Sequence, residues 1–139
     1  MSISQISVFI ESKPGYMKTA LDALAENKIN IRGYCAGDTG DYGIVRFIVD
    51  KPQEGLQVLL NAGFAAKLTD VLCIELPDEP GALGAIFESI AKAGLNISYS
   101  YSLVSTYIAI KTAEDLALAE DALKDTELKL VNDNELLHA

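Results

Sequence analysis

Tryptophan is absent from this 139-residue chain, histidine occurs once, cysteine twice and proline four times. The single histidine, His138, is the penultimate residue, so no Ser-His-Asp or Cys-His arrangement is expected inside a packed core. Cys35 and Cys73 lack C-x-x-C spacing and read as reduced, buried thiols rather than a metal site, with a regulatory thiol as the alternative. There is no run of 18 apolar residues and no basic, signal-like start, so neither a membrane span nor a secretory signal is predicted, and a cytoplasmic protein is expected. Basic residues are scarce as well. Eleven Lys and Arg face 20 Asp and Glu, for a net charge of −9, which is opposite to the footprint that nucleic acid requires. P-loop and dinucleotide glycine motifs are missing too. These absences predict a protein that is not an enzyme and carries no cofactor.

Half of the residues are apolar and 22% are charged, a globular composition. Two domains in this length would each be near the size at which a core becomes marginal, so the halves are expected to lean on each other. Ile6, Val8 and Ile10 alternate as in a half-buried strand, and Ser12-Lys13-Pro14-Gly15 ends it. Met17, Ala20, Leu21 and Leu24 then recur at helical spacing. A strand from Lys28 to Ala36, a glycine-rich hairpin loop, a strand from Ile44 to Val49, a helix from Gln53 to Asn61 and a strand from Phe64 to Leu68 complete a βαββαβ series. Gly63 suits a helix C-terminal cap. The second half repeats the order: strand Val71–Leu76, a helix carrying Leu83, Ile86, Phe87 and Ile90 and ended by Gly94, strand Ile97–Leu103, strand Tyr107–Lys111, helix Leu116–Leu123 and strand Leu128–Val131. An α+β protein is expected, with two tandem ferredoxin-like modules at 1–69 and 70–139 and helices on one sheet face. The short Thr69-Asp70 junction predicts rigid packing of the two.

The two halves align without gaps at an offset of 66. Five identities (Pro14/Pro80, Gly15/Gly81, Ala25/Ala91, Asn30/Asn96, Ile31/Ile97) coincide with matched apolar positions. In each half a Pro-Gly turn breaks a strand and opens a helix, where free backbone N–H groups and the helix dipole favour a small carboxylate. Asp78 is a candidate either to cap the helix or to contact a ligand, and Asn96 either to bridge a helix-to-strand turn or to contact one. Ile97, Tyr99, Tyr101 and Leu103 are expected on one strand face, with Ser98, Ser100 and Ser102 on the other. The tyrosines serve packing or stacking, and the serines line a wet cleft or permit close approach. Asp38 and Asp41 lack the carboxylate count of a calcium loop, so no metal is expected.

Asp78-Glu79-Pro80-Gly81-Ala82-Leu83 after the first strand of the second half, with Ala-x-x-Gly-Leu-Asn-Ile ending at Ile97, and the similar Pro14-Gly15 and Asn30-Ile31 of the first half, resemble the ACT domain. The tandem arrangement, from about Ile3 to Val131, is most similar to stand-alone tandem ACT proteins. The resemblance implies a regulatory module that binds a small amino acid or related carboxylate between two modules. It places Asp78, Gly81, Ala82, Leu83, Asn96 and Ile97 in the stronger site, and Ser12, Gly15, Tyr16, Asn30 and Ile31 in the weaker, where Ser12 and Lys13 replace Asp78 and Glu79. A homodimer is the expected assembly. The alternative is an interaction module or regulatory subunit of a metabolic enzyme that binds no ligand itself.

Overall fold

The computed structural model describes residues 1–38, 42–104 and 106–137. Asp41 and His138 lie outside the described residues, and the side chain of Asp38 is likewise not described. The chain divides into one unit of Ser4–Thr69 and a second that runs from Asp70 onward and includes Met1–Ile3.

The first unit contains β1 (Ile3–Glu11), α1 (Tyr16–Glu26), β2 (Ile31–Asp38), β3 (Tyr42–Val49), α2 (Pro52–Asn61) and the start of β4 (Ala65–Glu75). β3 pairs antiparallel with both β1 and β2, and Ile6 opposes Phe47 while Val8 opposes Val45. Cross-strand partners share a face, so these residues form one apolar layer. Ala20 and Leu24 of α1 and Leu59 of α2 close over it. The alternation read in β1 thus meets the helical spacing read in α1, and their meeting is the core.

The second unit continues β4 and adds α3 (Ala82–Lys92), β5 (Ile97–Leu103), β6 (Tyr107–Thr112), α4 (Leu116–Leu123) and α5 (Asp133–Leu137). β6 pairs antiparallel with β4 and β5. Leu72, Ile74, Ile108 and Ile110 of the sheet pack with Ile86 and Ile90 of α3 and Ala119 and Leu123 of α4.

Three expectations are corrected. The strands anticipated at Phe64–Leu68 and Val71–Leu76 are one continuous strand, β4, because Thr69-Asp70 contains neither glycine nor proline to break it. The last strand anticipated at Leu128–Val131 is reduced to a bridge between Leu130 and Ile74, flanked by Glu75 N–H to Lys129 O and Val131 N–H to Cys73 O. It is followed by α5, which a reciprocal capping box starts: Glu135 N–H donates to Asn132 Oδ1 at 2.9 Å and Asn132 N–H to Glu135 Oε1 at 3.3 Å. Finally, Ile97 does not share the face of Tyr99 and Tyr101. The pairing of β5 with β6 shifts between Ile97 and Tyr99; Ile97 packs on the helix-side core, while the two tyrosine rings stack at 6.5 Å on the opposite face. Ser100 and Ser102 oppose Ile110 and Ile108, so these two serines lie on the helix side of the sheet, with Ser102 exposed.

The offset of 66 recurs in the backbone. Lys28 and Gly94, at equivalent places after α1 and α3, both have positive φ, 59° and 77°. Each helix ends in the same pair of bonds: Lys28 N–H to Ala25 O with Ile29 N–H to Leu24 O, and Gly94 N–H to Ala91 O with Leu95 N–H to Ile90 O. This is the left-handed helix end that glycine fits and lysine strains. Lys28→Gly is therefore expected to stabilise the protein by about 1 kcal/mol, read as a higher urea midpoint with an unchanged slope. An unchanged midpoint would show that Lys28 carries no such strain.

Candidate functional site

Each Pro-Gly turn is built by the same hydrogen bonds. After β4, Glu79 N–H donates to Pro77 O at 2.9 Å, Ala82 N–H to Glu79 O at 3.3 Å and Ala85 N–H to Gly81 O at 3.0 Å. After β1, Lys13 N–H donates to Glu11 O at 2.8 Å, Tyr16 N–H to Lys13 O at 3.3 Å and Thr19 N–H to Gly15 O at 3.0 Å. Gly81 and Gly15 head their helices at φ 86° and 88°, a left-handed geometry that a Cβ would strain. Neither helix has a side-chain cap hydrogen bond. The backbone turn does the capping, and the capping role considered for Asp78 is not used. Of the backbone N–H groups at this helix start, that of Ala82 is committed to the turn, which leaves those of Gly81 and Leu83 as candidate carboxylate donors.

A cleft of about 390 Å³ lies at the second turn, lined by Leu76, Pro77, Asp78, Glu79, Leu83 and Thr106. Its counterpart at the first turn, about 300 Å³, is lined by Ser12, Lys13 and Met17 together with Ala36, Gly37 and Gly43. Asp78 and Leu83 are thus brought together. Thr106, not anticipated, joins them because Leu76 N–H donates to its carbonyl at 2.7 Å.

Asn96 and Ile97 are not brought to that cleft. They follow the C-terminal end of α3, whereas the turn opens its N-terminal end, and 11 helical residues span about 16 Å. One small amino acid cannot touch both within a single unit. Ile97 belongs to the core, and so does Ile31 at the same bulged position of β2. Asn30 stands beyond α1 in the same way, and Tyr16 opens onto a different cleft with Phe9 and Phe64.

Asn96 is fixed by a residue that sequence reasoning missed. Its backbone N–H donates to Glu114 Oε1 at 2.9 Å and its Nδ2 to Glu114 Oε2 at 3.1 Å. In the first unit Asn30 N–H donates to Asp50 Oδ1 at 2.9 Å. The ungapped offset of 66 sets Asp50 against Leu116 rather than Glu114, so the pair emerges only when the acids that follow the third strand of each half are matched across a two-residue gap. These bonds hold the Glu114 carboxyl below its ordinary value of 4.5, the Asn96 backbone N–H contributing most and its side chain next. A carboxyl depressed on folding stabilises the native state fully above its ordinary value, and this contribution is lost as pH falls through the lowered one. The Asn96 amide resonance is expected to titrate with a midpoint below 4.5, and Glu114→Gln should abolish that titration. A midpoint at the ordinary value would contradict the bond.

Burial pushes the Cys73 thiol up to about 12, with Asp133 and Glu135 adding to the rise, so this sulfur stays protonated and unreactive. Among the described residues no group of His, Cys, Asp and Glu is arranged to hold a metal ion, and no helix is long and apolar enough to cross a membrane.

The family model for the ACT domain pair matches residues 1–139. Among solved structures, the chain is similar to a Bacteroides thetaiotaomicron protein, with a TM-score of 0.90 and 29% identity over 100% of this chain and 98% of that one. It is similar to the regulatory subunit of aspartate kinase from Thermus thermophilus in its ligand-free form, with a TM-score of 0.62 and 25% identity over 87% of each chain. The corresponding Thermus flavus subunit shares the fold, with a TM-score of 0.56 and 23% identity over 87% of this chain and 90% of that one. No curated protein matches the sequence.

Proposed function

The chain belongs to the ACT domain pair family, and on that footing we propose that it is a non-catalytic, cytoplasmic regulatory protein that binds a small amino acid or related carboxylate. The observation that carries this reading is the likeness to an aspartate kinase regulatory subunit over 87% of both chains. Asp78 is exposed at the cleft after β4 and has the charge to take an ammonium. The Gly81 and Leu83 amides at the head of α3 suit a carboxylate, and the Leu83 side chain offers apolar surface. Because Asn96 stands about a helix length away, its part in the site requires the turn of one module and the asparagine of another. In a homodimer the second copy supplies it. Ser12 and Gly15 at the turn after β1, with Asn30 supplied by a second copy, are the weaker equivalent; Ile31, like Ile97, packs on the core, and Tyr16 is turned to its own cleft.

The second reading is a subunit that docks on a metabolic enzyme without a ligand of its own, favoured by the likeness to the regulatory subunit of Thermus thermophilus aspartate kinase. A thermal-shift panel separates the two, since a ligand that binds only the folded form raises its melting temperature. Stabilisation by one amino acid that is lost in Asp78→Ala supports the first reading; no stabilisation together with co-purification of an enzyme supports the second.

A further inference from the structure

Thr106 is a β-branched residue held at φ 59°, a left-handed backbone that strains such side chains. It closes the hairpin between β5 and β6, where Leu103 opposes Tyr107, a place that favours glycine. The first unit has glycine there. Ile10 and Leu76 are equivalent at the offset of 66, and Ile10 opposes Gly43. In the second unit Glu75 opposes Tyr107, and the next pair is Leu76 with Thr106, joined by Leu76 N–H donating to Thr106 O at 2.7 Å. Thr106 therefore takes the strand register of Gly43, and each lines the cleft of its own unit. A glycine carbonyl would accept the Leu76 bond equally well, so that bond gives no reason for the side chain. Core packing gives none either, because Thr106 is exposed.

The polar side chains lining the second cleft are, among the described residues, those of Asp78, Glu79 and Thr106. Ionised carboxylates only accept hydrogen bonds, so the Thr106 hydroxyl is the one side-chain donor of the three. It has no hydrogen-bond partner among the described residues. A carboxylate brought beside two acids is repelled unless donors offset the charge. We propose that Thr106 is a specificity-determining residue of this cleft, kept on a strained backbone so that its hydroxyl donates to the carboxylate of the bound molecule together with the Gly81 and Leu83 amides. The inference rests on the reading that a small amino acid binds at the second turn, and it adds to that site a residue that neither the repeat nor the turn motif contains.

The test is calorimetric titration of the full chain with each protein amino acid, and with the α-carboxamide of every one that binds, beside urea unfolding of each variant. The wild-type chain should favour the acid over its uncharged carboxamide by about tenfold or more. Thr106→Val keeps the side-chain shape and removes the hydroxyl. It should bind the acid about tenfold more weakly and narrow the preference over the carboxamide, whereas Thr106→Ser, which keeps the hydroxyl, should stay within about threefold of wild type. Thr106→Gly relieves the backbone, so its urea midpoint should rise while its affinity falls about tenfold. A merely structural residue would not move stability and affinity in opposite directions. Wild-type acid affinity in Thr106→Val, or an unchanged midpoint in Thr106→Gly, overturns the inference and leaves the second-module site standing. Absence of binding by every amino acid to the wild-type chain overturns both.

Discussion

Leu24→Ala and Ile90→Ala should each lower the free energy of unfolding by about 2–5 kcal/mol, a large fraction of the total for a chain of this size. Both side chains are essentially inaccessible, at 0% and 1% exposure. They occupy equivalent positions of α1 and α3, each in the centre of its unit's core. Truncation removes three methyl or methylene groups and leaves a cavity that surrounding β-branched side chains cannot readily fill, because their χ1 angles are stiff. Since the two sites repeat the same packing, the two losses should be similar. Urea unfolding followed by circular dichroism reads them as lowered midpoints. A loss below about 1 kcal/mol at either site would mean that the helix is not seated on its sheet as described.

Asp78→Ala and Asn96→Ala are each expected to abolish ligand stabilisation, which at a ligand concentration of one hundred times Kd amounts to about 2.7 kcal/mol. Asp78 is a clean probe because α3 has no side-chain cap to lose. Asn96→Ala gives up the Nδ2 bond but keeps the backbone bond to Glu114, so the variant should fold at a cost of about 1 kcal/mol. The distance between the two residues turns the pair into a test of assembly. If the turn of one copy and the asparagine of another make the site, mixing the two inactive variants should restore one intact site per mixed dimer. Each variant alone would remain unresponsive. Failure of the mixture to respond, with both single variants folded and dimeric, would contradict a site shared between copies.

Much of the fold was legible in the sequence because its signals were local and agreed with one another. The Pro-Gly turns at Gly15 and Gly81, the left-handed helix ends at Gly63 and Gly94, and the α4 bounds Leu116–Leu123 follow from residue types that admit few backbone conformations. What escaped depends on tertiary partners. Nothing in the composition of β5 marks the shift between Ile97 and Tyr99, because a bulge is set by the neighbouring strand. The continuity of β4 depended on a junction that reads as a break only if the repeat is assumed to begin afresh. At the site, the turn residues were found from their spacing. Their separation from Asn96 was not, since a sequence match places residues in a motif without saying which end of a helix they occupy. Glu114 escaped for a similar reason: its role arises from the return of β6 beside β5, 18 residues beyond Asn96.

Isothermal titration of the full chain with each protein amino acid and its 2-oxo acid bears most directly on the claim that this ACT domain pair is a ligand-responsive regulator. At least one amino acid should bind saturably to the wild-type chain, with the heat lost in Asp78→Ala. If no member of either series binds at millimolar concentration, or if binding is indifferent to Asp78, the second-module sensor is contradicted.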